Sequence, residues 1–255
     1  MNVLLIGCGK MGGAMARRWQ DKNICEKLII VDPAASLIKS FADIPKNFKP
    51  DVMVFAVKPQ ILPEMIDDYK AWPDALAVTI AAGKPISFFA ERLGAGAKIV
   101  RAMPNTPAAI GKGISVAVAG KNVSGAEKDR AAKLLGAVGE VLWAEEESLL
   151  NPVTALSGSG PAYVFLLIET MARAGAHMGL DPSMAEKLAR QTVIGAAALA
   201  ENDAATPADV LRQNVTSPGG TTEAALKVLM MDPGMQDLFN RALKAATRRA
   251  EDLSL

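Results

Sequence analysis

Near the start of the chain, Val3 to Ala16 (VLLIGCGKMGGAMA) limits the possible folds more than any other stretch. An apolar run rich in β-formers, Val3 to Ile6, passes directly into Gly7-Cys8-Gly9-Lys10-Met11-Gly12 and then into an Ala/Met/Arg run with helical spacing. That order is strand, tight turn, helix. The first glycine allows the turn, the second lets a pyrophosphate approach the backbone, and the third lets the helix pack on the strand, with the helix N-terminus facing the anion. A second apolar run, Lys27 to Val31, ends in Asp32, twenty positions past Gly12. This is near the distance at which a dinucleotide-binding unit sets a carboxylate against the adenosine ribose. Two plainer readings stand beside these: a glycine turn that holds nothing, and an Asp32 that only leads into the Pro33 turn.

Other features narrow the class. The chain has 255 residues, half of them apolar, yet no apolar run reaches the length of a bilayer crossing. Formal charge is +1 with acids and bases interspersed, which argues against nucleic acid or anionic lipid as partner. The N-terminus enters a strand at once, with no basic segment and signal-type core, so a cytoplasmic protein is expected. Cys8 and Cys25 are too few for a disulfide framework or a metal site and read as small buried residues. The single histidine, His177, lies in an expected helix, leaving little support for Ser-His-Asp hydrolysis or multi-histidine metal chemistry; no metal is expected.

Strand and helix patterns alternate through the first part. Strands are expected at Leu28 to Val31, Val52 to Val57, Leu76 to Ala81, Lys98 to Met103, Ile114 to Ala119 and Val141 to Trp143, with helices at Gln60 to Trp72, Ile86 to Leu93 and Gly125 to Val138. This predicts an α/β fold, a doubly wound, mainly parallel sheet of Rossmann type, over residues 1–151. From Pro152 the character changes. Helical patterns cover Ala162 to Met178, Pro182 to Glu201, Pro207 to Gln213, Thr222 to Met231 and Gly234 to Leu253, so residues 152–255 are expected to form an all-helical domain. Asp181-Pro182 and Thr206-Pro207 read as N-cap followed by N1 proline. The run Ile194 to Ala200 is small and apolar around much of its helix, as close packing between subunits or a tight internal core would require.

Several turns at strand ends or helix starts could carry chemistry. Ala56-Val57-Lys58-Pro59-Gln60 offers a lysine at the sheet edge where open α/β folds bind ligands. Ala81-Ala82-Gly83 is small enough for a nicotinamide ring to lie against it. Met103-Pro104-Asn105-Thr106-Pro107 is stiffened by two prolines, and Leu156-Ser157-Gly158-Ser159-Gly160-Pro161-Ala162-Tyr163 sits where sheet gives way to helix. Ser217-Pro218-Gly219-Gly220-Thr221-Thr222-Glu223 exposes backbone N–H groups and two hydroxyls at a helix start, fit for a carboxylate. A well-capped helix, with Thr221 or Thr222 as N-cap, is the plainer alternative.

Taken in order, IGCGKMG, AVKPQ, AAG, MPNTPA, LSGSGPAY and NVTSPGGTTEAAL resemble the pyrroline-5-carboxylate reductases over nearly the whole chain. The last two stretches are the specific ones. The resemblance implies reduction of the imine of 1-pyrroline-5-carboxylate to L-proline by NADPH or NADH, with a helical C-terminal dimerisation domain and a homodimer or higher homo-oligomer such as a decamer. By the same resemblance Ile6, Gly7, Cys8, Gly9, Lys10, Met11 and Gly12 would cradle the pyrophosphate. Ala56, Val57, Lys58, Pro59, Ile80, Ala81 and Ala82 would line the cofactor, and Asn214 would reach its nicotinamide side. Thr221, Thr222, Ser217 and Gly220 would hold the substrate carboxylate, with Thr222 as hydrogen-bond partner or proton donor to the ring nitrogen. Glu147 matches an acidic position facing the ligand.

One departure stands out. Many members prefer NADPH and place small polar or basic residues where this chain has Asp32-Pro33; a carboxylate there favours the ribose hydroxyls of NADH. The segment from Asp32 to Asp51 is also short for a strand-helix-strand excursion. Two other functions stay open on sequence: a β-hydroxyacid-type dehydrogenase, for which Lys187 is the obvious helical lysine, and a non-catalytic nucleotide-sensing protein.

Overall fold

A computed structural model describes residues 1–35 and 37–253. The elements run β1 (Asn2–Ile6), α1 (Lys10–Asp21), β2 (Lys27–Val31), β3 (Val52–Phe55), α2 (Leu62–Met65), β4 (Leu76–Thr79), α3 (Ile86–Leu93), β5 (Lys98–Met103), β6 (Gly113–Ala119), α4 (Gly125–Gly136) and β7 (Gly139–Trp143). They continue with α5 (Leu150–Val153), α6 (Gly160–His177), α7 (Pro182–Asn202), α8 (Ala208–Asn214), α9 (Thr221–Leu229) and α10 (Met235–Asp252). The seven strands form one sheet in the order β2-β1-β3-β4-β5-β6-β7. Every neighbouring pair is parallel except β5 and β6, which run antiparallel.

The apolar strands are buried on both faces, as their uninterrupted sequences require. In β1, Val3 and Leu5 join one core with Met15, Trp19, Val54, Val78 and Leu134, while Leu4 and Ile6 point into a second core with Met53, Phe55, Tyr69 and Phe89. Because β2 lies on one side of β1 and β3 on the other, the chain reverses its winding at β1. That reversal opens a crevice at the carboxyl ends of these three strands.

The connection from β2 to β3 has no α-helix among its described residues. It holds a bridge between Val31 and Ile38 and one 3-10 turn, Phe41–Asp43, which agrees with its short length. The expected single helix over Gln60 to Trp72 is instead the one-turn α2 followed by a 3-10 segment, Ile66–Ala71. Side chains three apart eclipse in a 3-10 helix, and this winding lets Ile66 and Tyr69 both enter the core. Asp181 caps α7 as expected, its carboxylate accepting from the N–H groups of Ser183 and Met184. Thr206 does not cap α8: Pro207 does, and its carbonyl accepts from Val210 and Leu211.

The chain forms two compact units. One comprises Met1–Ser159 together with the chain from Lys244 onward, and the other is Gly160–Leu243. The sequence division after residue 151 falls inside α5, which still packs on the sheet: Leu150 is buried against Met103 and Val118. In the second unit α6 and α7 lie close together, with Gly175 admitting Ala185 and Leu180.

Trp19 fastens α1 to the far side of its core. It is fully buried, and its indole Nε1 donates to the Leu134 carbonyl at 2.8 Å. Trp19→Ala is expected to cost about 3–5 kcal/mol of unfolding free energy, measured by urea denaturation of the purified protein.

Candidate functional site

The glycine turn is built by close backbone approach. Gly7 has φ +93°, and a Cβ there would stand 2.8 Å from the backbone nitrogen of Val57. A Cβ on Gly12 would drive into the carbonyl oxygen of Gly7, so α1 can lie this near β1 only without a side chain at that position. Gly9 differs: nothing lies within 4 Å of where its Cβ would be. Its lack of a side chain therefore leaves space beside the start of α1 rather than relieving a clash. Gly9 is the N-cap of α1, with no side-chain oxygen bonded to the first turn and no acid in it. A pyrophosphate fits such a place, because first-turn N–H groups and the positive end of the helix dipole face it.

Asp32 closes the turn from the β2 side. Its Oδ2 accepts the Cys8 N–H at 2.6 Å, and its Oδ1 accepts the N–H groups of Ala34 at 2.8 Å and Ala35 at 2.9 Å. Burial raises the carboxyl, but these three N–H bonds outweigh it and hold the group below the usual carboxylate range. Asp32 is ionised at neutral pH, and the Cys8 amide is committed to it. The Cys8 thiol is pushed up by burial and then by the Asp32 charge, so it stays a neutral thiol.

A groove of about 730 Å³ runs along the carboxyl ends of β1, β2 and β3, lined among others by Gly7, Gly9, Asp32, Ala56, Val57 and Lys58. Five of the residues expected from sequence to meet a cofactor thus share one groove with Asp32. Pro59 follows Lys58 in the chain. Ile80, Ala81 and Ala82 follow β4, where the Ile80 N–H donates to the Phe55 carbonyl and the Ala81 N–H to the Thr79 hydroxyl.

Beyond that turn lies an interaction the sequence reading missed. Arg101, in the middle of β5 and 5% exposed, pairs with Glu147, Nη1 to Oε1 at 2.7 Å. The same oxygen accepts the N–H of Ile86, the first residue of α3, at 2.8 Å. One carboxylate therefore neutralises a buried guanidinium and satisfies a helix N-terminus. The signal was available: a charge inside a strand covered on both faces must be paired. Its partner, 46 residues on, was not readable. Glu147 is thus held within the sheet unit, next to the turn that ends in Gly83. Asn105 is a second joint, its Nδ2 donating to the Ser157 carbonyl at 3.2 Å and its Oδ1 accepting from Ile114 at 2.9 Å. Ser157 itself lies in a π-helical turn, Thr154–Gly158.

In the second unit, Asn214 ends α8 and is exposed. Ser217 to Gly220 form a β-turn: the Gly220 N–H donates to the Ser217 carbonyl at 3.0 Å, with Gly219 at φ +73°. Gly220 is the N-cap of α9, and no side-chain oxygen caps that helix. Thr221 and Thr222 are its first two residues, both exposed, so neither is the N-cap that the plainer alternative required. Glu223 fixes the turn by accepting the Gly219 N–H at 2.6 Å.

Residues 147–253 match a family model for pyrroline-5-carboxylate reductase dimerisation, and residues 2–83 match one described as NADP oxidoreductase coenzyme F420-dependent. With the glycine cradle and its groove, these matches define a dinucleotide-dependent oxidoreductase whose sheet unit is followed in the chain by a helical unit. A pyrroline-5-carboxylate reductase of Pseudomonas aeruginosa is 43% identical over 206 residues, 80% of this chain and 75% of that protein. A solved pyrroline-5-carboxylate reductase from Coxiella burnetii superposes with TM-score 0.91 at 34% identity, covering 100% of this chain and 98% of that one. The Plasmodium falciparum pyrroline carboxylate reductase, solved with NADP bound, gives TM-score 0.85 at 28% identity, with coverage of 100% and 98%. The chain belongs to the pyrroline-5-carboxylate reductase family.

Glu147→Ala leaves the Arg101 guanidinium buried and unpaired. A loss of about 3 kcal/mol in unfolding free energy is expected, with a smaller loss for Glu147→Gln, which keeps an acceptor for the Ile86 amide. Equal urea midpoints for Glu147→Ala and the unaltered protein would refute this account of the pair.

Proposed function

We propose that this chain reduces the imine of 1-pyrroline-5-carboxylate to L-proline. The start of α9 carries the proposal: a helix N-terminus behind a glycine turn, without a side-chain cap, presenting two exposed threonines. The amides of Thr221 and Thr222 and the Thr221 hydroxyl grip the substrate carboxylate, with Ser217 and Gly220 shaping the turn around it. The dinucleotide, when bound, supplies a hydride to the imine carbon. The Thr222 hydroxyl holds the ring nitrogen and hands over or orients the proton it takes up. An imine is readily protonated, so no histidine or other strong acid is needed, and catalysis comes chiefly from holding the ring in place. Glu147 serves here by setting the turn from Ala81 to Ile86 on which the nicotinamide rests, and Asn214 approaches that end of the cofactor.

The cofactor we propose is NADH at least as readily as NADPH. Three of the roughly four acceptor positions of Asp32 are taken by N–H groups, which leaves room for a ribose hydroxyl. A 2′-phosphate at the same place meets an ionised carboxylate. Lys39 lines the same groove.

A homodimer, or a larger ring such as a decamer, is the proposed assembly. Phe165 (67%), Leu199 (64%) and Val228 (65%) are exposed in the helical unit, and a second copy is the natural cover for them. No helix among the described residues is long and apolar enough to cross a membrane, and the cytoplasm is the proposed location.

The activity is tested by following nicotinamide absorbance with 1-pyrroline-5-carboxylate. Thr222→Ala is expected to lower kcat on the order of 10²-fold, and full activity in that variant would remove its assigned role. Turnover of a hydroxyacid instead would point to the β-hydroxyacid alternative, and nucleotide binding without turnover to a sensor. In the same assay Asp32→Ser should raise the NADPH to NADH ratio of kcat/KM about tenfold or more. A large NADPH advantage in the unaltered enzyme would contradict the cofactor proposal.

A further inference from the structure

Tyr69 differs from the other polar residues of the groove in burying its hydroxyl without a hydrogen-bond partner among the described residues. It is 1% exposed and lines the groove together with Asp32, Phe41, Ile61 and Met65. Its ring is held edge-on between Phe41, at 5.4 Å and 83°, and Phe55, at 5.5 Å and 82°. Packing therefore fixes the ring, and a phenylalanine would satisfy those contacts equally well. The hydroxyl, however, is buried and bonded to no described residue. Burying an unpaired hydroxyl costs free energy that a phenylalanine would not incur, which points to a partner outside the protein.

The neighbours define that partner's chemistry. On the cofactor reading Asp32 marks the ribose position, and Phe41, Ile61 and Met65 offer apolar surface for a flat ring among the polar lining residues Lys39, Ser40, Glu64 and Asp68. Phe41 arrives on the 3-10 turn Phe41–Asp43 of the short β2 to β3 connection. Burial, and then the neighbouring Asp68 charge, raise the phenol above its ordinary range, so the hydroxyl keeps its proton and remains a donor.

We propose that Tyr69 reads the adenine of the bound dinucleotide, its hydroxyl donating a hydrogen bond to a ring nitrogen of the base beside the Phe41, Ile61 and Met65 wall. The inference rests on the cofactor reading given above. Adenine offers ring nitrogens as acceptors, whereas the nicotinamide half of the cofactor lies past the glycine turn and gains nothing from this residue.

Isothermal titration of the purified full chain with NADH, ADP-ribose and reduced nicotinamide mononucleotide tests it. Tyr69→Phe is expected to bind NADH and ADP-ribose about five- to tenfold more weakly while binding the mononucleotide unchanged. Without nucleotide, the same variant is expected to melt at or above the temperature of the unaltered protein, because an unpaired buried hydroxyl has gone. Undiminished ADP-ribose binding by Tyr69→Phe would overturn the inference, as would an equal loss for the mononucleotide. Failure of the unaltered protein to bind NADH or NADPH would instead overturn the cofactor reading beneath it.

Discussion

The approach of α1 to the end of β1 is the constraint on which the rest of the sheet unit depends. It exists because Gly12 puts no side chain against the Gly7 carbonyl. A larger residue would push the helix away, and Met15 and Trp19 would leave the core they share with Val3, Leu5 and Leu134. The same turn sits where the winding of the sheet reverses, so the contact that packs the helix also opens the crevice. Packing and ligand binding are therefore one requirement here: a substitution that spoiled the cradle would loosen the core behind it.

Two half-buried carboxylates in this unit each join elements far apart in the chain. Asp32 ties the end of β2 to the glycine turn through the Cys8 amide. Glu147 ties β5 to α3 through Arg101 and Ile86. In both cases a carboxylate accepts from backbone N–H groups, three for Asp32 and one for Glu147, which also binds the Arg101 guanidinium. The two devices differ in what they leave over. Arg101 is enclosed and its partner's charge is spent within the protein, whereas Asp32 stands in the groove with its negative charge still felt by whatever binds there. On the cofactor proposal, that asymmetry would make Asp32 a selector, while the Arg101–Glu147 pair is a fastening.

Much of this was readable from the chain because its signals are local. β5 occupies Lys98–Met103 as its apolar run indicates, and α3 spans Ile86–Leu93. The other strands and helices differ by a few residues at their ends, where fraying and turn geometry decide. What was not readable depends on tertiary packing. Gln60 to Trp72 has the composition of a helix, but the aromatic cluster beneath it rewards an eclipsed spacing that puts Ile66 and Tyr69 on one side, and a 3-10 winding results. The partners of Arg101 and the orphaned hydroxyl of Tyr69 are likewise properties of distant segments brought together. Periodicity carries no trace of them.

The helical unit poses the opposite problem to the sheet. Among its described residues only Ala185 and Ala189 count as buried apolar side chains, while leucines, methionines and Phe165 lie open along α6, α7 and α9. A unit with so little enclosed surface cannot offset the conformational entropy of ordering its helices from its own contacts. Small residues such as those from Ile194 to Ala200 suit another helix approaching closely rather than solvent. The family match over residues 147–253, a model of dimerisation, supplies the missing half of the argument. In the proposed homo-oligomer a second chain would complete these helices into a core, and stability and assembly of this unit should then rise and fall together with protein concentration.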